Sequence, residues 1–289
     1  MDSSELLKKV RKIEIRTRRL SQQIFSGQYH SAFKGKGMAF SEVREYQYGD
    51  DIRSIDWNVT ARFNHPYVKI FEEERELTVM LLIDVSGSTM FGTRNQFKAE
   101  LITELAAVLS FSAINNNDKV GVIFFSNHVE KFIPPKKGRS HILRIIRELI
   151  DYQQAQVQTN IAEALRYLTN AIKKKCTAFI LSDFLNCNFE QALKIAANKH
   201  DIVALHIMDD GESKLPNIGL IQLRDPESGK LVCIDASNAY TRREYQQWWN
   251  IQQKQNCELF KKTGVDMAQL LTDKDYVRTL MELFQKRVV

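Results

Sequence analysis

From residue 78 onward, short apolar runs alternate with amphipathic ones, and no other feature of this chain constrains its fold as strongly. Residues 78–83 read as a strand that ends at Asp84. Residues 95–114 read as a helix with Phe97, Leu101, Leu105 and Leu109 on one stripe. A strand is expected at 120–125 and a shorter one at 129–133, closed by Pro134 and Pro135. Helices follow at 141–150 and 160–174, the second opened by an Asn160/Glu163 capping signal. A strand at 177–181 ends at Ser182 and Asp183, then come a helix at 189–199 and a strand at 202–207. Residues 218–223 and 231–234 flank a hairpin signal. A long helix over 239–262 is stopped by Gly264, and a last one covers 275–285. Strands alternating with helices predict an α/β fold: a doubly wound, mostly parallel sheet with helices on both faces. In such sheets ligands bind beyond the carboxyl ends of the strands.

The basic charge lies elsewhere. The net charge is +6, from 41 basic and 35 acidic residues. Residues 1–36 carry all of that excess, and the remainder is balanced. This argues against a nucleic-acid-binding body, which needs basic groups across a face or groove. Leu6, Val10, Ile13, Thr17, Leu20 and Ile24 recur at helical spacing, so a basic N-terminal helix is expected to dock this stripe on the body. Its charges allow at most peripheral contact with an anionic membrane. No apolar run approaches the ~20 residues of a membrane-spanning helix, and the N-terminus lacks a signal core. Cys176, Cys187, Cys233 and Cys257 are widely spaced, unlike zinc or disulfide scaffolds. On these grounds a cytoplasmic location is expected.

Residues 1–77 are expected to form a leading region, the basic helix followed by a charged, Gly-punctuated segment packed on a body of residues 78–289. Within it Arg44, Arg53 and Arg62 interleave with Asp50, Asp51 and Asp56 around Trp57. Arg–carboxylate pairs can be bidentate, so a fixed polar network is expected there. Residues 44–57 read as neither a simple helix nor a simple strand, and 67–71 as a strand.

The chemistry concentrates on five side chains. Asp84, Ser86 and Ser88 follow the first central strand, Asp183 follows another, and Thr159 precedes the helix that leads to Asp183's strand. The topology brings them to one rim. Two carboxylates and three hydroxyls are hard oxygen ligands, suited to Mg²⁺ or Mn²⁺, with Ca²⁺ a further candidate. Hydroxyls are neutral, so the ion keeps positive charge for an outside carboxylate. A protein partner offering an acidic residue would supply it.

This pattern resembles the metal-ion-dependent adhesion site of von Willebrand factor A domains, with Asp84, Ser86, Ser88, Thr159 and Asp183 at the five positions. A second resemblance is more specific. Gly35-Lys36-Gly37, Arg44-Glu45-Tyr46, Gly49-Asp50-Asp51-Ile52-Arg53, Ile55-Asp56-Trp57 and Ala61-Arg62 look like the bacterial domain of unknown function 58 family. That resemblance implies a von Willebrand A-like body and an adaptor role beside a MoxR-type AAA+ ATPase in protein maturation or assembly. The alternative is a Mg²⁺-dependent phosphoryl-transfer or hydrolytic enzyme. It is disfavoured because the sequence has no phosphate-binding loop of the Gly-x-x-x-x-Gly-Lys type and no recognisable histidine base. A non-enzymatic binding module is the expectation.

Overall fold

The computed structural model describes residues 11, 13–14, 38–73, 77–93, 96–152, 158–185, 188–224 and 230–288. Two compact units are distinguished, one formed by Lys34–Leu77 and one by the rest of the chain.

In the smaller unit, strands β1 (Met38–Glu45) and β2 (Tyr67–Glu73) pair antiparallel with a bulge between Phe40 and Glu42. Between them lie a single 3-10 turn (Ile52–Ser54) and helix α1 (Trp57–Phe63). The expected polar network is present in narrower form. Arg44 grips Asp50 with two parallel bonds of 2.8 and 2.7 Å. Asp51 and Asp56 act instead as caps: Asp51 accepts from the Arg53 amide, Asp56 from the amides of Asn58 and Val59. Lys69, rather than an arginine, lies 3.4 Å from Asp56. Arg53, Arg62 and Trp57 are exposed, and neither arginine makes an ion pair among the described residues. The helix escaped the sequence reading because Asp56 looked like one more network charge, when its spacing to Val59 makes it an N-cap.

The larger unit is built on a six-stranded sheet. Its strands are β3 (Thr78–Asp84), β4 (Lys119–Phe125), β5 (Val129–Lys136), β6 (Thr177–Ser182), β7 (Asp201–Met208) and β10 (Asp266–Leu271), in the spatial order β10-β7-β6-β3-β4-β5. All neighbours are parallel except β4 and β5. Strands β8 (Leu220–Arg224) and β9 (Leu231–Asp235) form the expected separate hairpin. The fold is therefore the α/β, doubly wound, mostly parallel sheet that the alternation predicts.

The central strands are apolar on both faces because helices cover both. Residues 79–83 of β3 are fully buried. Met80, Leu82, Ala178 and Ile180 face a core shared with helices α4 (Ile161–Ala171) and α5 (Glu190–Lys199) and with Phe260 of α6 (Ala239–Thr263). On the other face Phe179 meets Phe284 of α7 (Tyr276–Val288) edge-on. Helix α2 (Lys98–Asn115) packs against α3 (Arg139–Ile150) through Ala107, Phe111, Ile142 and Ile146. Ile13 joins that cluster, and Glu14 accepts from Arg139 Nε at 2.6 Å. Ile13 thus sits where the expected N-terminal stripe would place it; the rest of that helix lies outside the described residues.

Two strand expectations are corrected. Strand β5 runs through Pro134 and Pro135 to Lys136, tolerable because it is the sheet edge and one side needs no amide donors. Gly121 of β4 makes room for it: a Cβ there would meet Pro135 N at 2.9 Å and Met80 Sδ at 2.7 Å. Strand β10 was not anticipated; its mixture of Asp266, Gln269 and apolar residues gives a weak period, and only pairing with β7 completes it.

Candidate metal centre at the carboxyl rim of the sheet

Asp84 closes β3 and is 1% exposed. The chain then turns through a 3-10 segment, Gly87–Met90, that folds the loop back over the strand end. The Ser86 amide donates to Asp84 Oδ1 at 3.0 Å, and the Ser86 and Ser88 hydroxyls lie 3.1 Å apart. From the next strand, Ser182 donates its hydroxyl to Asp84 Oδ2 at 2.6 Å. Ser88 stands close enough to Asp183 to help lower its carboxyl. Asp84, Ser86, Ser88 and Asp183 are therefore all buried at the ends of the neighbouring strands β3 and β6.

Thr159 comes to the end of β4, the strand beside β3. The amide of its neighbour Asn160 donates to the Ser126 carbonyl at 2.7 Å, just past β4, while Val85 donates to Phe125 at 2.9 Å. No hydrogen bond joins Thr159 to the 84–88 loop. Its Oγ1 is buried and lacks a hydrogen-bond partner among the described residues. A buried hydroxyl without a partner costs roughly 1–3 kcal/mol, so an oxygen-seeking ligand is what this atom fits. Among the described residues no group of three or more His, Cys, Asp or Glu side chains could hold a metal. An ion here would depend on hydroxyl oxygens, the donor set of a hard cation.

The electrostatics set the two carboxylates apart. Burial, then the charge of Asp183, pushes Asp84 up to about 7, against the bonds from Ser182 and Ser86. Burial acts the same way on Asp183, but the adjacent Lys98 ammonium, helped by Ser88 and the Leu185 amide, holds it below the usual carboxylate range.

Lys98 is the residue the sequence reading missed. Helix α2 begins at Lys98, three residues later than the periodicity suggests, with Phe97 as its half-exposed cap. Lys98 is 1% exposed, and its Nζ lies 2.9 Å from Asp183 Oδ2 and 2.5 Å from Glu212 Oε1. A cation in the first turn opposes the positive end of the helix dipole, so its burial requires these carboxylates. Glu212 is shifted upward by burial, with Lys98 opposing. It stands on a 3-10 turn (Asp210–Ser213) capped by Asp209, which also binds Thr93 and Thr272. A signal existed: Lys98 falls four residues before Ile102, seven before Leu105 and eleven before Leu109, an inward-facing register for a charge.

The turn after Asp183 is also built with care. Phe184 adopts a left-handed backbone (φ 51°), unusual for a bulky residue. It is pinned by its amide donating to Ser182 Oγ, by Asn256 Nδ2 donating to its carbonyl at 3.1 Å, and by edge-on packing with Phe260 and His206. The cavity beside Asp84, reaching Thr103 and Tyr152, is about 60 Å³. That is a water-sized space, well below the ~300 Å³ of a small-molecule site.

Comparison with known proteins gives the family of the chain. The model of the family described as "Protein of unknown function DUF58" matches residues 42–255. An uncharacterized protein of Mycobacterium tuberculosis is 27% identical over 290 residues, covering 99% of this chain and 91% of that protein. Among solved structures, an aerotolerance-related membrane protein from Bacteroides fragilis shares 15% identity with a TM-score of 0.46, over 73% of this chain and 98% of that one. The SpRpn10 VWA domain shares 10% identity with a TM-score of 0.38, over 73% and 95%. Likenesses at this level speak to fold alone. The cytoplasmic expectation is corrected: the structures this chain resembles include one described as a membrane protein, and the lack of an apolar run assigns no compartment. No helix among the described residues is long and apolar enough to cross a membrane.

Proposed function

The chain belongs to the family described as "Protein of unknown function DUF58", and from that premise we propose that it is a metal-dependent protein-interaction module. The observation that carries the reading is the burial of Asp84, Ser86, Ser88 and Asp183 together at the ends of β3 and β6, with the unpartnered Thr159 hydroxyl beside the end of the neighbouring β4. Ser86, Ser88 and Thr159 would hold Mg²⁺ or Mn²⁺ through their hydroxyls, and Asp84 and Asp183 directly or through water. A bound divalent ion would supply a coordination position for an outside carboxylate. The chain's own part is to fix these oxygens before binding: Ser182 and the Ser86 amide orient Asp84, while Lys98 and the Leu185 amide orient Asp183.

The surface beside the loop suits a protein rather than a small molecule. Met90, Phe91 and Phe97 are 59%, 42% and 50% exposed, offering apolar contact around the site. An acidic residue flanked by apolar side chains is the partner chemistry this favours. In keeping with the family resemblance, we assign that role to an adaptor interaction with a MoxR-type AAA+ ATPase or with its substrate during protein maturation. Lys98 is the one feature favouring the enzymatic alternative, since phosphoryl transfer needs a cation near the metal. It is enclosed and already engaged by two carboxylates, and the reading assigns the chain no catalytic step.

The test is calorimetric titration of Mg²⁺ and Mn²⁺ into the wild-type chain and Asp84→Ala, with binding of the purified ATPase measured with and without chelator. Ion binding lost in Asp84→Ala, and chelator-sensitive association, are expected. Equal ion affinity in the variant would remove Asp84 from the site, and association indifferent to chelator would sink the metal-dependent reading.

A further inference from the structure

We infer that Lys98 is a built-in counter-cation of the rim, holding Asp183 in the ion-free protein and setting how tightly a divalent ion is taken up, with Glu212 tuning it. The inference rests on the metal reading above and concerns what this chain's own residues do toward that ion.

The argument starts from charge. Asp84, Asp183 and Glu212 carry three negative charges when ionised and Lys98 one positive; Lys98 binds Asp183 and Glu212, and Asp84 ends the strand next to Asp183's. Asp183 and Asp84, buried at the ends of neighbouring strands, are like charges when ionised and repel each other. The net −2 of the ionised set is what a divalent ion would cancel. Lys98 and such an ion therefore act on the same carboxylate from different sides. The ammonium repels the incoming ion and occupies one Asp183 oxygen; it also lets the rim fold without metal. Glu212 Oε1, only 2.5 Å from Nζ, draws the ammonium's charge away from Asp183. Glu212 should thereby favour ion uptake although it belongs to a turn on the far side of Lys98. A lysine that served only to anchor that turn would change stability when replaced, without moving ion affinity in opposite directions at the two positions.

The experiment is calorimetric titration of Mn²⁺ alone into the full chain, wild type against Lys98→Met, Glu212→Gln and the double variant. Each is also melted with and without EDTA. Lys98→Met should bind Mn²⁺ roughly tenfold tighter or more, since a like charge near the site is gone. It should melt lower than wild type in EDTA and gain more from Mn²⁺, because two buried carboxylates lose their partner. Glu212→Gln should bind about threefold weaker, and in the Lys98→Met background the same substitution should matter by less than about twofold. Should Lys98→Met fail to fold, the double variant, with the ion pair removed as a unit, must bind tighter than Glu212→Gln alone. Affinity in Lys98→Met equal to or below wild type overturns the inference, as does a double variant no tighter than Glu212→Gln. An equal Glu212→Gln effect in both backgrounds overturns the role given to Glu212. Absence of Mn²⁺ binding by every form overturns the metal reading and this inference with it, whereas binding that ignores Lys98 overturns this inference alone.

Discussion

Two serine-to-alanine substitutions that look alike on paper should move stability in opposite directions. Ser182 and Ser110 are both fully buried in the larger unit. The Ser182 hydroxyl donates to Asp84 Oδ2 at 2.6 Å and accepts from the Phe184 amide at 3.2 Å. Ser182→Ala strands a buried carboxylate oxygen and a buried amide, with only the Ser86 amide left on Asp84. Each of the two orphaned groups costs about 1–3 kcal/mol, and the volume lost is one oxygen, so the total should be about 2–6 kcal/mol. At roughly 2–3 °C per kcal/mol for a chain of this size, the melting temperature should fall by about 4–18 °C. Ser110 Oγ, in the middle of α2, has no hydrogen-bond partner among the described residues. Ser110→Ala removes that unsatisfied group and gains about 0.5 kcal/mol of helix propensity, so it should be neutral or stabilising. Urea and thermal unfolding followed by circular dichroism would measure both. Equal losses for the two variants, or a loss below about 0.5 kcal/mol for Ser182→Ala, would refute the claim that Ser182 is an integral donor to the rim.

Two further outcomes are expected. His200 is 1% exposed, its Nδ1 lies 3.2 Å from Cys176 Sγ, and burial followed by the charge of Lys199 lowers it from 6.5 to about 4. The unfolded chain protonates first, so His200 costs nothing above pH 6.5 and lowers stability progressively as pH falls towards 4, by up to about 3 kcal/mol. His200→Gln should flatten the stability–pH curve in that window, and an unchanged slope would contradict it. Gly211→Ala would place a Cβ 2.4 Å from Thr93 Cγ2 and 3.0 Å from Asp209 Oδ1. It should cost about 1–3 kcal/mol and loosen the turn carrying Glu212, seen as faster hydrogen exchange there; unaltered melting would show that the turn yields freely.

What the sequence reveals and hides here follows from distance along the chain. Strands β3, β4, β6 and β7 were legible because a strand covered on both faces is predominantly apolar. The ends of β3 and β6 then locate Asp84 and Asp183 without further information. Lys98 was hidden because its partners lie 85 and 114 residues away, so local periodicity registers only an odd charge on a stripe. The same holds for β10, which is a strand chiefly through its pairing with β7. In the smaller unit the Arg44–Asp50 pair was legible as alternating charge, but Asp51 and Asp56 were misread because a capping carboxylate and a paired one are the same residue type.

The most direct measurement is an anomalous-scattering map from crystals of the chain grown with Mn²⁺. The account predicts one peak at the carboxyl rim, within about 2.3 Å of the Ser86, Ser88 and Thr159 hydroxyl oxygens and facing solvent on its remaining side. A map with no peak there, or with Thr159 turned away from the ion that Ser86 and Ser88 hold, would contradict it.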